Sequence, residues 1–554
     1  MGMGVLDTAV SGLLAFQQSL ATTSHNIANV NTEGYSRQRA EMATLPEMQI
    51  GQSYFVGNGV KVASIGRMYD KFLLSQLNSS TAAAAHLNVY NQMTSEVDNF
   101  IADADASLPA GMQKFFSTIH DMVNDPTSIT VRQTVLTSAR TLVERFNSIS
   151  SRLDEIRSKT DRAMQDSIAE INVLTSNIAS LNLRVVDASR AGSGAAPNDL
   201  LDQRDLAVRK LAEQLDIQVI ADERGNYNVM TSSGQSLVLG EAASELLLTD
   251  ARFPGGPKEV LMKASGSQAT INITDQVSGG ELGGYRQFID DVLNPVQNDL
   301  GRIAIAFAHQ FNEQLQAGFD LNGSAGVAMF NEPPMTVIPS TGNTGSLTAP
   351  QPVAISDYAA LTGSDYRITV GAGGTVVSNL RTQQVSQFAP PGNLLFSLDG
   401  IDYDLTGAAV GDSFLLQPTR SVASSLELEM DVINDAARIA AAGGASGPAV
   451  GDNANALLLA DLQLATGSLK QGSYQDAYNE VVGRVGVLTQ SSSTDATAQK
   501  KLLEAVVQQR ENISGVNLDE EAANLINFQQ AYQASAQVIA VVRTTFDSLI
   551  AAVQ

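Results

Sequence analysis

Both ends of the chain repeat an apolar residue every seven positions. At the N-terminal end the repeat runs through Leu6, Leu13, Leu20 and Ile27, with Phe16 three positions after Leu13. At the C-terminal end it runs through Leu518, Leu525, Tyr532, Ile539 and Phe546, with Phe528, Val542 and Leu549 beside it. A seven-residue repeat places one side chain on the same line of a helix every two turns, as in a coiled coil. We call these two lines the terminal seams and expect them to pack against each other and against neighbouring copies.

A single stripe of this kind is more often ordinary core than an oligomer interface. Here both ends carry one, and a helix pair by itself orders poorly in water. We therefore expect both ends to be loose in the monomer and to fold on assembly, as segments that order on binding do. The pattern favours an assembly protein over an enzyme.

Between the seams the hydrophobic pattern alternates between helical and extended stretches. Helices are predicted at 3–29, 68–103, 126–190, 198–214 and 284–317, and again after 424, with Pro295 as a kink or an early helical residue. A second coiled-coil line in the long helix consists of Val135, Ala139, Leu142, Phe146, Ile149, Leu153 and Ile156. Extended segments are predicted at 34–66, with a hairpin around Gly57-Asn58-Gly59, at 217–275 and at 324–424.

This order predicts a multidomain α + β fold, with a long-helix coiled-coil body formed by the N- and C-terminal segments and with inserted all-β domains. We expect a terminal helical domain from residues 1–62 and 508–554. Residues 63–216, 281–323 and 425–507 should form a helical coiled-coil domain. A small β region is expected at 217–280, and an outer all-β domain at 324–424.

Charge narrows the range of partners. The 554 residues include 34 Lys and Arg against 58 Asp and Glu, a net charge of −24, and they contain no basic cluster. Nucleic-acid binding needs a basic face, so no nucleic-acid partner is expected. Residues 1–40 are nearly neutral, with Asp7 and Glu33 against Arg37 and Arg39. Neutral helices suit packing among like copies, because such copies do not repel each other.

Cysteine is absent, which excludes disulfides, thiolate metal sites and cysteine nucleophiles. No apolar run reaches the roughly 18–20 residues of a membrane-spanning helix, so no membrane insertion is expected. The opening residues also lack the basic and apolar regions of a cleaved secretory signal. Two interpretations remain open at this point: a cytoplasmic protein, or one exported by a route that cleaves no signal.

Catalytic, cofactor-binding and metal-binding sites are not predicted. The four histidines lie outside helical spacing of one another, and no phosphate loop or nucleophile elbow occurs. Asp202-Gln203-Arg204-Asp205 is interpreted as a surface or inter-helix ion pair. Asp519-Glu520-Glu521 is interpreted as a helix start capped by Asn517, where acidic side chains complement the helix dipole.

Two long motifs resemble the flagellar axial proteins, the family of rod, hook and hook-associated proteins. The first spans residues 24–38 and contains Asn26, Ile27, Ala28, Asn29, Thr32, Gly34, Tyr35 and Arg37. The second spans 514–525 and 528–536. Within the family, the Tyr35-Ser36-Arg37-Gln38 step and the segments 198–205 and 318–323 resemble the hook-associated members at the hook–filament junction.

The resemblance implies a structural adaptor that assembles as a short helical ring. Its partners would be further copies of itself, the hook protein, a second junction protein leading to the filament, and a cytoplasmic export chaperone on the C-terminal helix. The paired terminal helices would form an inner tube, and the Gly34-Tyr35 turn would lead the chain out of it. The resemblance also implies export by the flagellar type III apparatus and an extracellular place in the bacterial flagellum, with no cofactor.

The sequence leaves two alternative functions open. The first is that the chain is another axial protein, of the hook or the distal rod. The long helical stretch argues against this, because a hook protein body is mostly β. The second is an enzyme or adhesin on the β domain at residues 324–425. The absence of histidine from this segment argues against an enzyme, and deletion of the segment would separate adhesion from motility.

Overall fold

The computed structural model describes residues 2–50, 54–103, 107–191, 196–250, 252–388, 394–444, 451–466, 469 and 472–553. The two ends of the chain meet as a pair of long helices, α1 (Gly2–Ala28) and α12 (Leu518–Val553). The pair is antiparallel, because Gly12 lies beside Ser535 while Asn26 bonds to Glu521. Each helix therefore presents one face to the other along most of its length.

A β arm follows α1, and its pairing differs from the predicted hairpin. β1 (Gln38–Thr44) pairs with β4 (Val60–Arg67), and β2 (Met48–Ile50) pairs with β3 (Tyr54–Val56) inside that outer pair. The prediction that 54–56 pairs with 60–62 is therefore wrong. Gly59 has φ of +105° and packs against α1, where a Cβ would collide with the Ser11 hydroxyl. Gly59 thus lets the arm pass close to α1 between its inner and outer strand pairs.

The helical body is built from helices that come before and after the β insertions in the chain. They are α2 (Lys71–Ile101), α3 (Leu108–Asn124), α4 (Ile129–Ala191), α5 (Asn198–Gln214), α6 (Gly280–Phe288), α7 (Asn294–Gln316), α8 (Val422–Ser425), α9 (Met430–Asn434), α10 (Ala454–Asp461) and α11 (Tyr474–Ser514). A π-helical segment, Ile289–Leu293, joins α6 to α7, and Pro295 is the second residue of α7. Proline has no N–H to donate, and it lies directly after the π-helical segment, where the regular bonding pattern of the helical run is already interrupted.

The main core forms where α3, α4 and α7 meet. The second coiled-coil line of α4 is buried there, with Val135, Leu142 and Phe146 all 0% exposed. Phe115, Phe307, Phe311 and Phe330 lie beside it as a ring cluster, with centroids 5.1–6.2 Å apart. Offset and edge-to-face rings at such separations add to the burial of apolar area. The 63 residues of α4 span about 95 Å, so its second half extends beyond this core.

That second half of α4 packs with α5 against the small β region. The region contains a four-stranded sheet of β5 (Ile217–Ala221), β6 (Tyr227–Thr231), β7 (Ser236–Leu239) and β8 (Ala242–Ala243). It also contains a three-stranded sheet of β9 (Glu245–Thr249), β10 (Glu259–Lys263) and β11 (Thr270–Asn272). The turn between β5 and β6 contains Gly225 with φ of +84°, which an L side chain rarely adopts.

The outer β domain is a single curled sheet. Its strands are β12 (Met335–Pro339), β13 (Gln351–Ile355), β14 (Tyr366–Gly371), β15 (Gly374–Asn379), β16 (Val385–Phe388), β17 (Leu395–Leu398), β18 (Ile401–Asp404) and β19 (Ser413–Leu416). They lie in the order β16-β15-β14-β19-β12-β13-β18-β17. Phe388 on one edge strand stacks on Phe396 of the other, with ring centroids 4.3 Å apart. The two edges therefore approach each other, as in a barrel, which leaves less edge exposed for pairing with other chains.

The predicted fold class is confirmed: a multidomain α + β protein in which the terminal segments form helices and the β domains are inserted. Across the described ranges, no helix combines the length and the apolar character needed to cross a membrane.

Candidate assembly site

The axial motif forms the turn in which the chain leaves α1. Gly34 has φ of +81°, and a Cβ there would approach the Leu206 side chain of α5 to 3.1 Å. Thr32 donates to the Asn29 side chain, and Asn29 donates to the His25 carbonyl at 3.0 Å, which holds the end of the helix. Ile27 is half-buried and Ala28 is exposed at the last helical position. The turn therefore needs glycine both for its backbone angle and for its closeness to α5.

Asn26 is the centre of this turn and is 1% exposed. Its amide donates to the Gln38 carbonyl at 2.9 Å and to Glu521 at 3.1 Å. Its side-chain oxygen accepts from the Tyr35 hydroxyl at 2.8 Å and from the Gln38 N–H at 2.9 Å. All four bonds of a buried amide are thus made, and three segments of the chain converge on one side chain.

Tyr35 closes the turn with its hydroxyl group. The hydroxyl lies 3.0 Å from His25 Nδ1, and the two rings meet edge to face at 5.6 Å. Burial, and then the negative charges of Asp199, Asp202 and Glu521, raise the pKa of Tyr35 well above its usual range. The hydroxyl therefore keeps its proton and remains a donor to Asn26.

Arg37 joins this turn to the start of α12. Its Nε donates to Glu521 at 2.7 Å, and a terminal nitrogen donates to Glu520 at 2.7 Å. Burial lowers the pKa of Arg37, but hydrogen bonds to Glu520 and the charge of Glu521 outweigh burial and raise it. The Glu521 side chain is 2% exposed and that of Glu520 is 55% exposed, so the two ion pairs differ in their solvation. As predicted, Asn517 accepts from the N–H of Asp519 at the start of the helix.

A second ionic group holds the β arm on α5. Arg67 of β4 bonds to Asp202 at 2.9 Å and to Asp205 at 2.5 Å, and Asp202 also accepts from the Ser36 N–H. Burial raises the pKa of Asp202, against the Ser36 bond and the charge of Arg67, which lower it. The prediction placed Arg204 between these two carboxylates, and it is wrong in its cation: the ion pair is buried and is made by Arg67. Arg204 instead covers the ring of Tyr227 at 3.6 Å.

Sequence reasoning did not find Arg67. The residue lies 135 positions from Asp202 and carries no local pattern, so only the pairing of β4 with β1 brings it to α5.

The terminal seams are incompletely covered by the helix pair. Leu6, Leu518 and Phe546 are exposed, at 36%, 51% and 60%. The half-buried seam residues are Leu13, Phe16, Leu20, Ile27, Leu525, Phe528, Tyr532, Ile539 and Val542. The side chain of Leu549 lies outside the described part of the structure.

The face of α1 that is buried consists of small and polar residues. Its members are Ala9, Gly12, Ala15, Ser19, Thr22, Thr23 and Asn26. Gly12 lies against α12, where its missing Cβ would stand 3.5 Å from the Ser535 hydroxyl oxygen. Small residues let the two backbones approach closely, and the larger apolar side chains then lie at the sides of the contact. Among the α12 side chains that the structure describes, only Glu521 is buried.

Histidines and carboxylates do not gather into a metal-binding group anywhere in the described ranges. His25 bonds to Tyr35, His86 to Gln287, and His309 stacks on Tyr358. The site described above is made of apolar contacts, hydrogen bonds and ion pairs.

Comparison with known proteins bears on both the motif and the fold. Residues 94–330 match the family described as "Flagellar hook-associated protein FlgK helical domain". Residues 6–35 match "Flagella basal body rod protein", and residues 507–552 match "Flagellar basal body rod FlgEFG protein C-terminal". The family matches at the two ends thus cover the Asn26 turn and α12.

Full-length relatives extend the similarity to the whole chain. The chain is 34% identical to flagellar hook-associated protein 1 of Escherichia coli K12, over 99% of each chain. It is 31% identical to that of Salmonella typhimurium over 99% of each, and 26% identical to that of Bacillus subtilis over 98% and 97%. The solved structure of the flagellar hook junction protein FlgK from Burkholderia pseudomallei has the same fold, with a TM-score of 0.73 at 23% identity. That match covers 79% of this chain and 100% of the solved one. The chain belongs to the flagellar hook-associated protein 1 family, the structural proteins of the hook–filament junction.

Proposed function

We propose that this chain is the structural adaptor between hook and filament, and that its terminal helix pair is the surface on which copies assemble into a helical ring. The observation that carries the proposal is the division of side chains on that pair. The small and polar residues of α1 are buried inside the monomer, and large apolar residues of both helices remain outside. A monomeric soluble protein rarely exposes contiguous apolar surface without a partner for it.

The exposed apolar side chains lie on more than one side of the pair. On α1 they are Val5, Leu6, Val10 and Leu14. On α12, Ile526 and Val541 lie on a different arc of the helix from the seam, given 100° of rotation per residue. A pair with apolar residues on several sides can contact several neighbours at once. Such head-to-tail contacts generate a ring or a helix, unlike the single patch of a twofold dimer.

Charge supports packing among like copies. Residues 8–24 of α1 and residues 522–542 of α12 contain no Asp, Glu, Lys or Arg, although the chain as a whole carries a net charge of −24. Like charges brought together in a ring would repel, so their absence from this surface removes an obstacle to close packing. The acidic excess belongs to the rest of the chain.

The ionic turn around Asn26 would fix the direction in which the chain leaves the inner ring. Arg37, Glu521 and Asp202 tie α1, α12 and α5 to one another through buried bonds. We infer that the helical body and the β domains thereby hold a set orientation outside the ring. The ring would meet the hook protein on one side and the second junction protein on the other.

We further infer a chaperone on α12 before assembly. An apolar helix that is uncovered in the monomer needs cover in the cytoplasm, and a helix-in-groove contact would supply it. Export through the flagellar type III apparatus would then place the protein outside the cell, as a part of the flagellum.

Amide hydrogen exchange on the isolated full chain tests the proposal. We expect residues 1–60 and 510–554 to exchange at near-unfolded rates while residues 130–190 are protected, because helices that await partners open easily. Assembly into the ring should then protect both ends. If the ends of the isolated chain are as protected as α4, they belong to a finished monomer and the assembly mechanism is wrong.

A further inference from the structure

The helical body and the two β domains enclose a cleft of about 660 Å³. α4, the π segment and the start of α7 form its floor. The β10 region forms one wall, and β14 and β19 of the outer domain form the other. A polar cleft of this size, formed where three parts of a chain meet, matches the usual dimensions of a small-molecule site.

The charges in the cleft differ from those of the whole chain. Seven Arg and Lys side chains line it against six Asp and Glu, whereas the chain has 34 against 58. Most of the lining ions are paired: Arg286 with Asp275 and Asp290, and Arg420 with Asp365. Within the described residues, the guanidinium groups of Arg157 and Arg367 have no carboxylate within 4.0 Å.

Arg157 lies on the floor of the cleft. It donates to the side-chain oxygens of Asn294 and Gln297, and so is held by neutral groups. Burial, and then the positive charge of Arg420, lower the pKa of Arg157 to about 10, although Asp161 acts in the opposite direction. The guanidinium groups of Arg157 and Arg420 repel each other, and an anion bound between them would stabilise both.

Arg367 lies on the opposite wall. It is in the middle of β14, paired in register with Leu415 of β19, on the strand face opposite to the buried Tyr366 and Ile368. Its Nε is buried without a hydrogen-bond partner among the described residues. An unsatisfied charged donor costs free energy, and that cost is removed when an acceptor binds.

We propose that this cleft binds a small oxyanion of the phosphate or carboxylate class, with Arg367, Arg157 and Arg420 as its donors. Guanidinium groups suit such ligands because their planar donors match two oxygens at once. Arg367 and Arg420 lie on the side of the outer β domain, and Arg157 lies on the helical body. A bound anion would therefore also join these two parts of the chain.

Titration calorimetry of the full chain with inorganic phosphate tests the proposal, with sodium chloride at equal ionic strength as the reference. We expect saturable binding of phosphate, and an affinity about tenfold weaker in Arg367→Gln, because one charged hydrogen bond is lost. Arg367 makes no hydrogen bond or ion pair with the residues that the structure describes, so this variant should keep the circular dichroism spectrum and unfolding midpoint of the parent chain.

Arg190→Gln is the matched control, because this arginine is 71% exposed on α4 and lies outside the cleft lining. It should bind phosphate as the parent chain does. Absence of saturable heat in the parent chain would overturn the proposal, and so would equal affinity in Arg367→Gln and the parent.

Discussion

Two seams with the same seven-residue character have opposite fates in this molecule. The seam of α4 is fully covered: Val135, Phe146 and Leu153 are 0% exposed. On the terminal pair, Leu518 and Phe546 remain 51% and 60% exposed, although their spacing is the same. The hydrophobic pattern therefore defines a face but does not say whether the same chain covers it.

The difference lies in the number of neighbours. The half of α4 that carries the seam packs against α3, α7 and α8, so the seam is enclosed from several sides. α12 packs mainly on α1, and a helix pair cannot enclose apolar side chains on its flanks. The same kind of apolar repeat thus stabilises the monomer in α4, whereas in the terminal pair its side chains stay exposed for contact with other copies. Four substitutions would sharpen or break this comparison, and they follow in order of their expected effect on the free energy of unfolding.

Phe146→Ala should have the largest effect. Its ring is 0% exposed in the main core, so truncation leaves a cavity and should cost about 3–5 kcal/mol of unfolding free energy. Denaturant unfolding followed by circular dichroism measures this loss. The terminal counterpart, Phe546→Ala, should change the same quantity by less than about 0.5 kcal/mol, since that ring is mostly exposed. Equal losses in the two variants would contradict the distinction between the seams.

Glu521→Gln should come second, through the junction of the two ends. The change removes the charge that Arg37 meets in a buried pair, and we expect a loss of about 1–3 kcal/mol in the docking of α12. In the assembled ring, where both ends are expected to be protected, amide exchange over residues 518–528 should become roughly ten- to hundredfold faster. Glu520→Gln is the control, because that side chain is 55% exposed and an exposed pair contributes about 0–1 kcal/mol.

Gly34→Ala should cost about 1–2 kcal/mol from its left-handed backbone, with a further cost from crowding Leu206. Gly225→Ala separates the two causes, because Gly225 has a similar φ of +84° and open space where a Cβ would lie. Thermal unfolding of both variants measures the difference. If Gly34→Ala costs no more than Gly225→Ala, the contact with α5 does not restrict the turn.

Val541→Glu should change monomer stability least, by less than about 0.5 kcal/mol, because its side chain is 65% exposed. Its effect on assembly should be large, since a neighbour would have to bury an unpaired charge. Motility and filament attachment in cells that carry only the variant measure this effect. Gln165→Glu, on an exposed position of α4, adds the same charge away from the pair and should leave motility intact.

Much of the fold was predictable because local patterns determine it. The periodicity of α4, the capped start of α12 and the turn at Gly225 all depend on residues close in sequence. The hairpin at Gly57–Gly59 was predicted wrongly for the opposite reason. Gly59 lies against α1, and that contact involves residues almost 50 positions away.

The sequence by itself determined the helical ends, their apolar lines, the inserted β domains and the motif that marks the family. The tertiary structure alone decided which side chains of α1 are buried, that Arg67 is the cation for Asp202, and that Asn26 bonds to α12. Periodicity reports which residues share a face, because that follows from helix geometry. The partner of a face, and the completeness of its burial, depend on distant segments that only the folded chain brings together.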